Sequence, residues 1–272
     1  MYPFDYFRPG TLDQAREALT SNPESKLLAG GMSLVPVMRH RLARPSVLID
    51  LGKVEALKGI TESEHRLRIG AMTTHCTVCA SDLVKRRIPA LAQLASGIGD
   101  PLVRNRGTIG GSIAHNDPAA CYPSAAVALG ATIHTNRRDI AADHFFLGTF
   151  TTALGHDEII VAVEFPVPNG ATYIKFINAA SRFSIVGIFL ARFDQEVRVG
   201  VTGAARHAHR CAPLEQALTK TFTPQAARAV KVESGGLIED INGSAAYRAH
   251  LIPELTARAV EQCLAGTPGE IV

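Results

Sequence analysis

Cysteine is scarce in this sequence: Cys76, Cys79, Cys121, Cys211 and Cys263 are the five in 272 residues. An odd and sparse set makes a poor disulfide framework and points to reduced thiols. No apolar run approaches the roughly 20 residues that a membrane-crossing helix needs. The opening MYPFDYFRPG lacks the basic-then-apolar order of a secretion signal, so a cytoplasmic location is expected. Charge is not blocked either. The 28 Lys and Arg stand against 25 Asp and Glu, a net +3, and are scattered instead of forming the stripe that tracks a phosphate backbone. Nucleic acid is therefore not an expected partner. Three familiar signatures are missing as well: there is no GxGxxG, no Walker loop ending in Lys-Ser or Lys-Thr, and no GxSxG nucleophile elbow.

What is present is a chain of 46% hydrophobic residues, long enough for two or three domains at about 100–200 residues each. Thr11 with Gln14 reads as a capping box opening a helix to about Leu19, stopped by Asn22-Pro23. A short strand over 26–29 leads into Gly30 and Gly31. Ser33 is then placed to cap a helix carrying Leu34, Val37, Met38 and Leu42 on one side, and residues 47–51 read as another strand. A second region opens with a strand over 66–72, then helices over 74–80 and 83–96, the latter interrupted at Pro89. Residues 100–118 are so rich in Gly, Asn, Asp and Pro that they read as a long functional loop. A helix over 124–129 and strands over 131–135 and 159–165 follow. Residues 166–170 form a linker; beyond it, strands over 173–177, 185–193 and 197–201 precede helices over 213–219, 224–232 and 246–264. The expected units are 1–52, 53–168 and 169–272, the last a three-stranded sheet plus helices, and the class is α+β.

Two segments carry the chemistry, AGGMSL at 29–34 and TIGGSIAHNDP at 108–118. Adjacent glycines at a strand end let backbone approach a ligand and adopt positive φ. Consecutive free N–H groups in such turns suit phosphate oxygens. Either pair alone reads equally as a tight turn. Two of them, each followed by Ser, suggest a diphosphate held between two lobes, without choosing the nucleotide.

The stretches LLAGGMSLVPVMRHRLARPSVLIDL and IGDPLVRNRGTIGGSIAHNDPAACYP resemble both signature loops of the medium, flavoprotein subunits of molybdenum hydroxylases of the carbon monoxide dehydrogenase and xanthine dehydrogenase type. FDYFRPGTLDQAREAL at the start and GSAAYRAHLIPELTARAVEQCL near the end extend the resemblance over essentially the whole chain. It implies a two-subdomain FAD-binding fold of the vanillyl-alcohol oxidase (PCMH) type plus a C-terminal domain of antiparallel strands and a helical tail. It places Ala29, Gly30, Gly31, Met32, Ser33 and Leu34 on one side of the diphosphate and Thr108, Gly110, Gly111 and Ser112 on the other. Ile98 would lie by the flavin ring, with Asp117, Ile160 and Lys175 close to the cofactor.

The same resemblance implies a division of labour. FAD would take electrons from iron–sulfur clusters of a small subunit and pass them to an external acceptor. The molybdenum cofactor would sit in a large subunit, and the complex would be a dimer of heterotrimers. Three departures stand out. Relatives often have His at Met32, which cannot bond the ring covalently, so dissociable FAD is expected; an acidic residue is usual at Cys121 and an Asp at Arg182. No residue is assigned to a metal. Cys76-Cys79 is a CxxC without a second pair, and His207, His209 and Cys211 read as a loop. Arg104 and Arg106 are candidates for flavin phosphate, a partner subunit or surface ion pairs. A stand-alone flavin reductase and a redox-silent nucleotide-binding module are the alternative functions.

Overall fold

The computed structural model describes all residues, 1–272. The first unit runs β1 (Asp5–Phe7), α1 (Leu12–Ser21), β2 (Lys26–Leu28), α2 (Leu34–Arg39) and β3 (Val47–Asp50). Its sheet is parallel, in the order β1-β3-β2, so the strands need crossover helices, which α1 and α2 supply. Thr11 starts α1 by accepting the Gln14 N–H at 3.2 Å, while the Gln14 side chain accepts the Gly10 N–H at 2.9 Å. Ala15 and Leu19 then bury against Ile49 and Leu51. Open parallel sheets bind ligands beyond the carboxyl ends of their strands, and beyond the end of β2 lies Ala29-Gly30-Gly31.

α2 differs from the sequence expectation. The Ser33 side chain makes no cap bond, the helix ends at Arg39, and Leu42 falls outside it and is exposed. The backbone instead starts the turn, with the Val35 N–H donating to the Gly31 carbonyl at 3.1 Å.

The second unit contains β4 (Ile60–Ser63), β5 (Arg66–Gly70), α3 (His75–Ala80), α4 (Asp82–Arg87), α5 (Pro89–Ser96), α6 (Pro101–Arg106), α7 (Ile109–His115) and α8 (Tyr122–Leu129). β6 (Thr132–Thr135), β7 (Asp139–Ala141), the small hairpin β8 (Phe146–Gly148) and β9 (Thr151–Thr152), and β10 (Ile160–Pro166) complete it. The sheet order is β4-β5-β10-β6-β7, antiparallel throughout. Residues 100–118 are not the loop that their polarity suggests. Asp100 caps α6 by accepting the Val103 N–H at 2.8 Å, with Pro101 at the first helical position, and Thr108 caps α7 by accepting the Gly111 N–H at 3.1 Å. The Asp-Pro and Thr residues read as loop punctuation are helix-start signals.

The third unit holds β11 (Gly170–Ile177), β12 (Ser184–Arg192), β13 (Val197–Thr202), β14 (His209–Arg210), α9 (Ala212–Lys220), α10 (Pro224–Arg228), α11 (Ala245–Leu264) and β15 (Gly269–Ile271). The three strands expected from sequence form its centre, but the sheet has five, in the order β14-β13-β12-β11-β15. The two additional strands are edges of two and three residues, too short to show an alternating pattern. α10 is also shorter than expected, ending at Arg228.

Every residue of α8 is buried, as a helix enclosed on all sides must be. One side meets the second unit; the other lies on β12 and β13, where Gly200 leaves room for the Ser124 carbonyl. Tyr173 and Phe189 of the third sheet join the same core as Ile69, Val163 and Phe165 of the second. The second and third units are thereby fixed to each other. No helix is long and apolar enough to cross a membrane.

Candidate functional site

The two glycine segments touch. Gly30 is buried, and a Cβ there would run into the Arg106 carbonyl and lie 2.8 Å from the Gly107 Cα. A Cβ on Gly111 would come within 3.3 Å of the Ala29 Cβ. Residues 71–75 form the template behind the second segment. The His75 N–H donates to the Gly107 carbonyl (2.9 Å), the Ile109 N–H to that of Thr73 (3.1 Å) and the Gly110 N–H to that of Ala71 (2.9 Å). The His75 ring is buried under Gly107 and packs on Tyr122, with centroids 5.3 Å apart. Burial and then the nearby Arg104 charge lower its pKa to about 4, so the ring is neutral at pH 7. Nothing in the sequence around His75 announces this role; only the fold brings it under the second segment.

The segments offer different chemistry. The N–H groups of Gly30, Gly31, Met32 and Ser33 donate to nothing within the chain, and Gly31 is left-handed at φ 76°. A run of unused amides of this kind suits oxyanions. In the second segment the amides of Ile109, Gly110, Gly111 and Ser112 are already engaged, the last two by Thr108. Gly30, Gly110 and Gly111 do not have the positive φ expected from sequence: Gly30 serves close approach to Arg106 and Gly107, and the other two are helical. The second segment therefore presents the bare backbone of Gly111 beside the half-buried Ser112 hydroxyl, while Thr108 is buried as a cap. On the first segment Met32 is 39% exposed and Leu34 half-buried, so the thioether is free to lie along a ligand.

α6 leads back from the second segment to Ile98, which is half-buried. Arg104 donates to the carbonyls of Ile98 (3.1 Å) and Gly99 (2.9 Å), so it braces this turn and forms no surface ion pair. Lys175 arrives from β11 of the third unit; it is buried, and its Nζ donates to the Gly97 carbonyl at 3.1 Å. Ile98 and Lys175 are thus brought together. Asp117, at the other end of the second segment, lies past the far end of α7, about 10 Å along its seven residues from Thr108. Its Oδ1 accepts the Ala119 N–H at 2.8 Å. It also lines a cavity of about 250 Å³ with Asn178, Phe183, Ser184 and Arg248. Phe183, which the sequence reading did not single out, is 54% exposed beside it. Ile160 is 4% exposed in the central core, behind the Ala71–Gly110 contact and without an open face.

Residues 2–168 match the family described as the FAD binding domain in molybdopterin dehydrogenase. The chain belongs to this family. This molybdopterin dehydrogenase relative is 37% identical to the nicotine 6-hydroxylase medium subunit of Paenarthrobacter nicotinovorans, over 96% of this chain and 98% of that one. It is 34% identical to the carbon monoxide dehydrogenase medium chain of Hydrogenophaga pseudoflava, over 94% and 96%. In structure it is similar to the reconstituted CO dehydrogenase from Oligotropha carboxidovorans, with TM-score 0.90 at 30% identity over 98% of this chain and 100% of that chain. The fold is therefore the FAD-binding type that the signature loops imply, and the chain is an oxidoreductase subunit of the carbon monoxide and xanthine dehydrogenase family.

The remaining candidates are structural. All five cysteines are free. The Cys79 Sγ rests 3.2 Å from the Cys76 carbonyl in α3, and burial raises its pKa, away from a reactive thiolate. His209 sits in β14 and Cys211 is buried beside α9. No group of three or more His, Cys, Asp or Glu is arranged to hold a metal ion.

Proposed function

We propose that this chain holds FAD non-covalently and serves as the electron-transfer subunit of a cytoplasmic molybdenum hydroxylase. It would receive electrons from iron–sulfur clusters of a small partner subunit and deliver them to an external acceptor. The molybdenum cofactor would reside on a large subunit of a dimer of heterotrimers. One observation carries the reading: the first glycine segment keeps four unused amides and lies against the second segment through Gly30 and Gly111.

The residues fit the cofactor. Gly30, Gly31, Met32 and Ser33 would donate to the diphosphate, with Ala29 and Leu34 flanking it. Thr108 and Gly110 would set the opposite wall, where Gly111 and Ser112 face the ligand. Ile98 would border the ring, with Lys175 reaching it from β11 of the third unit, Asp117 from beyond the end of α7, and Ile160 behind in the core. Bound FAD supplies a site that takes electrons singly and releases them as a pair. Lys175 bonds the Gly97 carbonyl and no carboxylate, so no counter-charge competes with a ring that gains negative charge. Met32 offers no nucleophile for a covalent link. The chain's cysteines are dispersed and reduced, which assigns cluster ligation to another subunit.

The test is co-purification with the subunits encoded beside it. A yellow complex that bleaches when substrate is added, and that releases intact FAD on acid precipitation, is the expected result. A colourless chain that takes up no FAD refutes the reading. Turnover of the isolated chain with a nicotinamide would replace it by a stand-alone reductase.

A further inference from the structure

We propose that the exposed turn after α2, where Arg41 and Arg44 share the Tyr2 ring with Arg39 and Leu42 beside them in sequence, is the surface on which a carboxylate-bearing face of a partner subunit docks. The inference rests on the multi-subunit reading above. Three arginines fall within the six residues RHRLAR, all exposed. None is ion-paired, whereas nearby Arg8 sits 3.3 Å from Asp50.

The arginines are held in place without a counter-charge. The Arg41 and Arg44 guanidinium carbons lie 5.7 and 5.2 Å from the centroid of the same Tyr2 ring, within cation–π range. Two like charges fixed on one ring repel each other, and an incoming carboxylate relieves that repulsion. Arg41 is also left-handed, at φ 60°. Its N–H donates to the Met38 carbonyl and the Leu42 N–H to that of Val37, both at 3.0 Å. This helix closure usually falls to Gly. The closure fixes the backbone that carries Arg41 and Leu42 at the end of α2.

Leu42, 79% exposed, lies between Arg41 and Arg44 along the turn. An apolar centre within a polar rim is the anatomy of a protein interface. A nucleic acid would call for a longer basic track, and an anionic membrane for a contiguous apolar helix face. The position also matters: α2 runs from the first glycine segment to this turn, six residues or roughly 9 Å. A subunit seated here braces the segment that supplies the unused amides.

The test compares wild type with the double variant Arg41→Glu/Arg44→Glu, each co-expressed with the iron–sulfur and molybdenum subunits. Subunit dissociation is followed by sedimentation over rising salt, beside FAD content and the melting curve of the purified chain. Expected are association weakened by about tenfold or more, a shallower salt dependence, and unchanged FAD content and melting. In a complex carrying Arg41→Lys, carbodiimide treatment should couple position 41 to an Asp or Glu of one partner subunit, identified by mass spectrometry. Assembly of the double variant indistinguishable from wild type overturns the proposal. So does binding of the wild-type chain to phosphatidylglycerol vesicles that the double variant loses while assembling normally. If the wild-type chain joins neither subunit, the multi-subunit reading falls with it, a result distinct from normal assembly of the variant.

Discussion

Replacing Gly30 by Ala should loosen FAD without unfolding the protein. The added Cβ would lie 2.8 Å from the Gly107 Cα and meet the Arg106 carbonyl more closely still. Ordinary carbon contacts lie at about 3.5–4.0 Å, so the two glycine segments must part by roughly 1 Å. Overpacking of this kind costs about 1–3 kcal/mol. The strain falls on the contact that aligns the unused amides with the opposite wall, so it is expected in cofactor affinity, as a loss of about five- to a hundredfold. The assay is titration of apo-protein with FAD by flavin fluorescence, alongside a circular dichroism melt. Gly10→Ala is the control, since its Cβ would be 3.8 Å from its only neighbour, the Gln14 Oε1. If Gly30→Ala binds FAD as wild type does, the cofactor does not lie between these segments and the reasoning fails.

Three further outcomes follow from the buried polar groups. His75 is buried neutral with a pKa near 4, below the ordinary 6.5, so the unfolded chain takes up the proton first. Stability should fall as pH drops from about 6.5 to about 4, by up to about 1.4 kcal/mol per unit, and level off below. His75→Phe should remove that slope in urea denaturation, and equal slopes in both proteins would disprove the burial argument. Glu158 is held down to about 2 by Arg138 first, against the opposing effect of burial, with help from the Gly155 N–H and Thr135. Its contribution is present above about 4.5 and lost as pH falls toward 2, so Glu158→Gln should be less stable at pH 7 and flat across that window in an acid titration. Arg248 donates to the carbonyls of Ile185 (2.6 Å) and Gly203 (2.8 Å) and to Asp240 (2.7 Å). Arg248→Leu strands all three, and a loss of about 3–5 kcal/mol is expected in urea; a loss under about 1 kcal/mol would show that the network is not structural.

Much of the fold is legible because local rules and tertiary packing agree. Thr11 and Gln14 start α1, Pro89 separates α4 from α5, and Asp194-Gln195 joins β12 to β13. The failures have a common cause in short elements. α6 and α7 are six and seven residues long and carry glycine and asparagine, so composition outweighs periodicity there, and the template at Ala71, Thr73 and His75 that holds α7 is remote in sequence. Edge strands β14 and β15 exist only because the longer β13 and β11 offer them free backbone. The candidate site is legible as a pair of motifs, but its asymmetry is not. Thr108 as a cap consumes amides that a reading of the motif alone leaves free.

That asymmetry bears on how the chain departs from its relatives. Because the second segment is locked by its own hydrogen bonds, it acts as a fixed wall, and preorganisation of this kind lowers the ordering cost of binding. Variation should then be tolerated where it leaves the wall untouched. Cys121 is 5% exposed at the start of α8, packed in the central core, so its thiol is out of reach of an external acceptor. Arg182 is exposed, left-handed at φ 61°, and directly precedes the exposed Phe183 on the rim of the Asp117 cavity. Of these two positions only Arg182 places a charge on the surface, where under the proposed function an acceptor would meet it. A change in acceptor preference relative to an Asp-bearing relative should therefore follow Arg182→Asp and not Cys121→Ser.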